Sequence, residues 1–282
     1  WEEWSFPSLV LVDDAAVQFP RLRKLTIDNC PKLMKVSLLR LPSLRELGIL
    51  GCNEVVLNSV ADLTSLTDLR IVDIKELTYL HEDFMEFLVA LKVLEFCDCH
   101  ELVNLWVTRE NIERGREGLP RNLENLRIIR CVNLEKLPNG LNNLTALRDL
   151  EITYCPKLVS FPETGVPPKL RRLEIDLCKA LEFLPNGISD LEQLEIFNCT
   201  SLRSSLPTGS KLPTSLKGLG ISNDFYLESI VPESSISLEF LFISHSLNPR
   251  TLLGSVHNFE NLVDLFILDC SLESFPERGL PA

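Results

Sequence analysis

The chain has 282 residues, of which 45% are hydrophobic and 24% charged, the balance of a folded protein with ample core rather than of a disordered segment. A formal net charge of -12 argues against nucleic acid or an anionic membrane as partner, since both require clustered Lys and Arg. No apolar run reaches the ~18 residues of a membrane-spanning helix, and the opening WEEWSFPSLV lacks the basic start and apolar stretch of an export signal, so neither membrane insertion nor export is expected.

Residues 1–21, with Trp1, Trp4 and Phe6, are expected to form a partial N-terminal repeat or cap. From residue 22 onward one pattern recurs, L-x-x-L-x-[LIF]-x-x-C. It starts at Leu22, Leu44, Leu66, Leu91, Leu123, Leu147, Leu170, Leu191, Leu216, Leu238 and Leu262. The spacing is 21–25 residues except for 32 after Leu91, and LRDLEITYC (147–155) and LRRLEIDLC (170–178) show the pattern in full. In each repeat the fourth and sixth residues fall on one face of a short strand and their neighbours on the other. A single repeat cannot bury its apolar face alone, so the strands must stack in parallel around a shared Leu/Ile column. The fold class that follows is an α/β repeat, a leucine-rich-repeat solenoid of about eleven repeats over 22–282. It is expected to be a horseshoe, with a parallel sheet on its concave face and a mostly irregular or short-helical convex face.

Two stretches depart from the rhythm. LHEDFMEFLVAL (80–91) places apolar residues at 84, 87, 88 and 91, which predicts a short convex helix, and TRENIERGREG (108–118) reads as a polar excursion. Returns such as KLPNGLNNL (136–144) and FLPNGISDL (183–191) use Pro-Asn-Gly turns and predict a packed, non-helical back. The segment FPERGLPA at the C-terminal end matches the start of FPETGVPPKLRRL (161–173), which runs on into another repeat, so the array is expected to be truncated there.

Cysteines 30, 52, 99, 131, 155, 178, 199 and 270 all occupy the ninth position of a repeat, and Cys97 alone lies out of register. A registered column of single cysteines predicts buried, unpaired thiols and a reducing, cytoplasmic setting. Cys97-Asp98-Cys99-His100 is expected to be a poor zinc site, with its two cysteines on opposite strand faces and no second ligand pair. The four histidines at 81, 100, 245 and 257 lie beside no nucleophile with an orienting acid, and His81-Glu82 lacks the second His of a metalloprotease helix. No enzyme is expected. The sequons at Asn143 and Asn198 matter only in a secreted protein.

The outward strand positions of a solenoid form an extended binding surface. The fifth residues of the repeats run Thr26, Gly48, Arg70, Glu95, Arg127, Glu151, Glu174, Glu195, Gly220, Phe242 and Phe266. Glu151, Glu174 and Glu195 therefore predict a like-charge ladder, answered locally by Arg127, Arg148, Arg171 and Arg172 or from outside by a basic partner. Tyr154, Phe197, Phe240, Phe242 and Phe266, with Leu268, predict an aromatic end to the same concave face. The candidate partner-binding residues are thus Arg127, Glu151, Tyr154, Arg172, Glu174, Glu195, Phe197, Phe240, Phe242 and Phe266.

LRKLTIDNCPKL (22–33), LENLRIIRCVNLEKLPNGL (123–141) and LRDLEITYCPKLVSFPETGVPPKL (147–170) resemble the leucine-rich-repeat region of plant intracellular immune receptors of the coiled-coil NB-LRR class. The C-P-K-L after the strand and the S-F-P-E-x-G-x-P before the next repeat carry that resemblance, over nearly the whole chain. It implies a cytoplasmic disease-resistance receptor whose repeats sense a pathogen effector or a guarded host protein and help hold an intramolecular nucleotide-binding domain inactive. No G-x-x-x-x-G-K-[ST] loop is present, so no cofactor is expected in this stretch, and ADP or ATP would bind only in an upstream domain. Two other readings compete. A substrate-recruiting repeat domain of an F-box ubiquitin-ligase adaptor would be preceded by an F-box. A receptor-kinase ectodomain would show paired capping cysteines, and the single cysteine column speaks against it.

Overall fold

The computed structural model describes residues 3–4, 19–36, 41–60, 63–81, 84, 88–107, 120–202, 212–222, 237–246, 256, 259–272 and 274. Contacts divide the chain into two compact units, one made of 1–134 with 143–147 and the other of 135–142 with 148–282. The excursion at 108–118 and the closing FPERGLPA lie outside the described residues, apart from the bend at 274 just before the latter.

In chain order the strands are β1 (Glu3–Trp4), β2 (Lys24–Asp28), β3 (Lys35–Val36), β4 (Glu46–Leu50), β5 (Asp68–Val72), β6 (Leu80–His81), β7 (Val93–Cys97), β8 (Trp106–Val107), β9 (Asn125–Ile129), β10 (Asp149–Thr153), β11 (Arg172–Asp176), β12 (Gln193–Phe197), β13 (Gly218–Ser222), β14 (Phe240–Ser244) and β15 (Asp264–Leu268). Each of the eleven repeats supplies one five-residue strand, and every pairing described is parallel. The first unit holds β2-β4-β5-β7-β9 in that order, and the second holds β10 to β15 in sequence. The leucine-rich-repeat solenoid read from the pattern is the fold observed.

Register follows the repeat because a slip of one residue would send every leucine to the wrong face. Leu150, Leu173, Leu194, Leu219 and Leu241 stand opposite one another, as do Ile152, Ile175, Ile196, Ile221 and Ile243. All ten are buried. The first unit repeats the arrangement with Leu47, Leu69, Leu94 and Leu126 beside Ile49, Ile71, Phe96 and Ile128. Each full burial of such a side chain contributes about 1.5–3 kcal/mol before chain entropy is subtracted.

After the strand the chain must turn sharply without breaking the hydrogen-bond ladder. It does so with a left-handed residue at the eighth position of ten repeats: Asn29, Gly51, Asp73, Asp98, Arg130, Tyr154, Leu177, Asn198, His245 and Asp269. A non-glycine residue in that conformation costs about 1–2 kcal/mol. Its N–H compensates by donating to the next coil, as in Tyr154 to Asp176 O (2.8 Å) and Leu177 to Phe197 O (3.0 Å).

The turn delivers the ninth-position cysteine into the core. None of the nine cysteines is in a disulfide; Cys30 and Cys270 are partly accessible and the rest buried. The thiols donate to backbone carbonyls, Cys178 Sγ reaching Ile152 O (3.7 Å) in the preceding repeat and Asp176 O (3.5 Å) in its own. Burial pushes the Cys199 thiol up to about 12, so it stays protonated and unreactive at neutral pH. Where the repeats lack cysteine, Ile74 and Ser246 take the same buried position.

The return segments carry more extended structure than the expected irregular or helical back. Leu80–His81 begins the stretch predicted as a helix, yet it forms β6 and pairs with β8. Phe84 is helical and buried, while 82, 83 and 85–87 lie outside the described residues. Trp106, two residues before the polar stretch 108–118, is among the most deeply buried side chains. At the N-terminal end β1 pairs with β3, so part of the expected cap joins the back of the array as a strand. Short 3-10 turns at Glu54–Ser59 and Asn139–Asn143 complete the described returns, the first capped by Asn53 Oδ1 accepting from Val55 N (3.0 Å).

Candidate partner-binding face

The first, third and fifth residues of each strand point away from the core and form three rows across each ladder. In the first compact unit the middle row is Thr26, Gly48, Arg70, Glu95 and Arg127. Arg70 Nε donates to Glu95 Oε1 at 2.8 Å, and Lys24 pairs with Glu46 at 2.8 Å. The missing side chain at Gly48 helps open a depression of about 300 Å³ between these pairs. Charge on this part of the face is balanced by neighbours.

In the second unit the middle row is Glu151, Glu174, Glu195, Gly220, Phe242 and Phe266, in exact strand register. The acidic ladder expected from the spacing is therefore present. Of the arginines expected to answer it, Arg172 does so: Nη2 lies 2.8 Å from Glu174 Oε2 and 3.4 Å from Glu195 Oε1. Arg171, one residue before β11, instead pairs with Glu192, one residue before β12, at an exposed site. Arg127 belongs to the other unit and has its own interactions.

Burial first, and then the charges of Glu195 and Glu151, hold the Glu174 carboxyl above the ordinary carboxylate range, against the opposing pull of Arg172. The ionised form is thus penalised in the folded state. Its contribution to stability is neutral below the unfolded carboxylate pKa and turns unfavourable as pH rises through the higher folded one. Glu174→Gln is accordingly expected to stabilise the chain at pH 7 by less than about 1 kcal/mol and to have no effect near pH 3. Urea unfolding of variant and parent at the two pH values measures this, and a variant less stable than the parent at pH 7 would show that the Arg172 bond outweighs the repulsion.

The aromatic end is one cluster. Phe197 meets Phe242 edge-on at 5.5 Å between centroids, Phe242 lies 6.2 Å from Phe266, and Phe266 lies 5.6 Å from Phe240. Gly220 makes this possible: a Cβ there would sit 2.7 Å from Phe197 Cζ, so the Phe197 ring lies directly over that glycine. A Cβ on Gly218 would meet Phe240 Cδ1 only at an ordinary 4.0 Å. All five residues of β13 are buried, on both faces. Phe266 and Leu268 remain about half exposed, 46% and 49%.

Tyr154 does not join the cluster by position. It occupies the left-handed turn after β10, outside the strand; strand alternation would turn it inward with Leu150 and Ile152, and the turn, with φ of 56°, leaves it 45% exposed instead. Gly220 entered the sequence reading only as a member of the middle row. Its signal was a glycine at an outward position with an aromatic residue two positions beyond the preceding outward glutamate.

The cysteines of the discarded zinc motif separate because the left-handed turn at Asp98 lies between them, whereas residues two apart on a strand would share a face. Cys97 Sγ donates to Asp98 Oδ2 (3.3 Å), whereas Cys99 Sγ points inward to Ile71 O (3.7 Å). Among the described residues no group of three or more His, Cys, Asp or Glu is placed to hold a metal ion, and no helix is long and apolar enough to cross a membrane.

Comparison with solved structures agrees with this architecture. The chain is similar to the leucine-rich repeat domain of the type III effector XopL, with a TM-score of 0.50 and 22% identity over 72% of this chain and 77% of that one. Weaker likenesses extend to a Leptospira interrogans leucine-rich-repeat protein (TM-score 0.38, 19% identity, 86% and 78% coverage) and to the plant peptide hormone receptor RGFR1 in complex with RGF2 (TM-score 0.31, 16% identity, 89% and 58% coverage). No protein-family profile matches the sequence, and no curated relative matches it. Fold and face together define a leucine-rich-repeat solenoid, a scaffold whose typical use is protein–protein recognition.

Proposed function

We propose that this chain is the ligand-sensing and autoinhibitory leucine-rich-repeat domain of a plant cytoplasmic immune receptor, which recognises a pathogen effector or a guarded host protein through the outward face of its strands. The observation that carries the recognition role is the six-residue middle row from Glu151 to Phe266, displayed on a rigid parallel ladder. Rigid display lowers the ordering cost of binding. The buried column of unpaired thiols suits a reducing cytoplasm, and the C-P-K-L and F-P-E-x-G segments favour the immune-receptor class over an F-box adaptor. In that setting the nucleotide, ADP or ATP, belongs to an upstream domain, which is also the intramolecular partner of the repeats.

The test is an exchange of residues 147–282, within the complete parent protein, for the equivalent repeats of a related receptor. The effector specificity of the cell-death response is expected to follow the exchanged repeats. An unchanged response removes the assignment, and an F-box preceding the repeats in the parent protein transfers the face to substrate recruitment.

A further inference from the structure

We infer that the row from Glu151 to Phe266 fits one kind of partner segment, a peptide stretch with lysine or arginine at one end and an aliphatic or aromatic side chain at the other, laid across β10 to β15. This rests on the outward face being the recognition surface and adds the chemistry and polarity of what it recognises. The argument is geometric. Strands about 4.8 Å apart put the six positions on a line of about 24 Å, acidic over its first three strands and aromatic over its last two. At the fourth strand Gly220 leaves the position empty, and the Phe197 ring from β12 fills it. The row therefore runs from carboxylates to rings without a polar gap.

Each half sets a different demand. In the acidic half one guanidinium, that of Arg172, is shared between Glu174 and Glu195, so two carboxylates divide a single cation and a second cation improves the match. Arg172 is itself 40% exposed, so a partner's ammonium or guanidinium can approach beside it. In the aromatic half Phe240, Phe242 and Phe266 are already packed together, which removes their side-chain entropy before a partner arrives. Phe266 and Leu268 offer the accessible apolar area where an anchor residue would seat. Glu195 and Phe242 are two strands apart, a span of about 10 Å that three extended residues or two helical turns cover. A phosphate-bearing or acidic partner is disfavoured along the same line by the carboxylates and the net charge of -12.

The test uses the 282-residue chain and a fluorescein-labelled twelve-residue peptide with three lysines in its first half and Leu-Trp-Leu in its second. Fluorescence anisotropy is expected to show binding that weakens with added salt. Replacing the lysines by glutamates, or Leu-Trp-Leu by serines, is expected to weaken it at least about tenfold. Three variants report on the row itself. Glu195→Gln should reduce the salt dependence, and Phe266→Ala, at an exposed site, should weaken binding about fivefold or more. Gly220→Ala should do likewise by pushing the flexible Phe197 ring out of line while the fold survives, as circular dichroism would verify. Equal binding of the glutamate peptide, no binding of any peptide, or folded Phe266→Ala and Gly220→Ala chains that bind like the parent would each overturn the inference. Peptide binding together with an unaltered cell-death specificity in the repeat exchange would keep this surface and remove the immune assignment, so the two failures are distinguishable.

Discussion

Gly165→Ala is expected to destabilise the second compact unit by about 3 kcal/mol, the sum of about 1–2 for a non-glycine residue at positive φ and about 1–3 for overpacking. Gly165 has a φ of 81°, and a Cβ there would meet Asn186 O at 2.6 Å and Asn186 C at 3.0 Å. Both obstructing atoms are backbone and cannot rotate away. They are also held in place: Val166 N donates to Asn186 O at 3.0 Å, and Asn186 Nδ2 donates to Glu163 O at 3.3 Å. Relieving the clash would break the hydrogen bonds that stack the Pro-Glu-Thr-Gly turn on the Pro-Asn-Gly turn of the next repeat. Gly187→Ala is the internal comparison. Its φ is 82°, nearly the same, but the nearest atoms to its Cβ lie 3.6 Å away. It should lose only the conformational share, about 1–2 kcal/mol. Chemical denaturation of the two variants measures the difference, and equal losses would show that the close approach at Gly165 is not what requires glycine there.

Leu173→Ala is expected to cost about 3 kcal/mol, within the range seen when a fully buried leucine is truncated and its cavity relaxes only partly. Leu173 is completely buried and stands in register between Leu150 and Leu194. In a stacked array the stability of a repeat is its own plus that of its two interfaces, and one cavity at Leu173 weakens both. The expected sign is therefore a loss of cooperativity as well as midpoint: the urea transition should broaden as β10 and β12 cease to be coupled through β11. Arg171→Ala on the same repeat removes an exposed pair with Glu192 and should cost under about 1 kcal/mol. A Leu173→Ala loss no larger than that of Arg171→Ala would contradict the stacked-column account.

Much of the candidate face was legible because a strand has a period of two. Once Leu150, Leu173 and Leu194 are assigned inward, Glu151, Glu174 and Glu195 have no alternative but to face outward together. The same rule placed Phe197, Phe240, Phe242 and Phe266 on that side. It does not account for Tyr154, which a period of two would turn inward with Leu150 and Ile152: alternation ends where the backbone enters the left-handed turn, and nothing in the residue type marks a tyrosine for that conformation. It also failed for Leu80–His81, where a helical spacing of apolar residues competed with a strand partner 26 residues away, Trp106–Val107. Local periodicity carries no information about so distant a partner.

Gly220 of β13 shows where local reading stops. It is neutral in a pattern scan, and its effect depends on the ring that the neighbouring strand brings over it. The sharing of Arg172 between two carboxylates, with Arg171 turned to Glu192, likewise needs side-chain positions from two neighbouring repeats at once.

By itself, then, the sequence determined the repeat, the strand register, the inward Leu/Ile columns and the thiol column, because all of these follow from residue period and from the need of each repeat to bury its apolar face against the next. Only the tertiary structure decided which cation answers the glutamate ladder, that the Phe197 ring closes the gap at Gly220, and that the aromatic cluster is packed before any partner arrives. Those outcomes depend on rotamers and distances between strands 21 to 25 residues apart in the chain, where several arrangements satisfy the pattern equally and packing selects one.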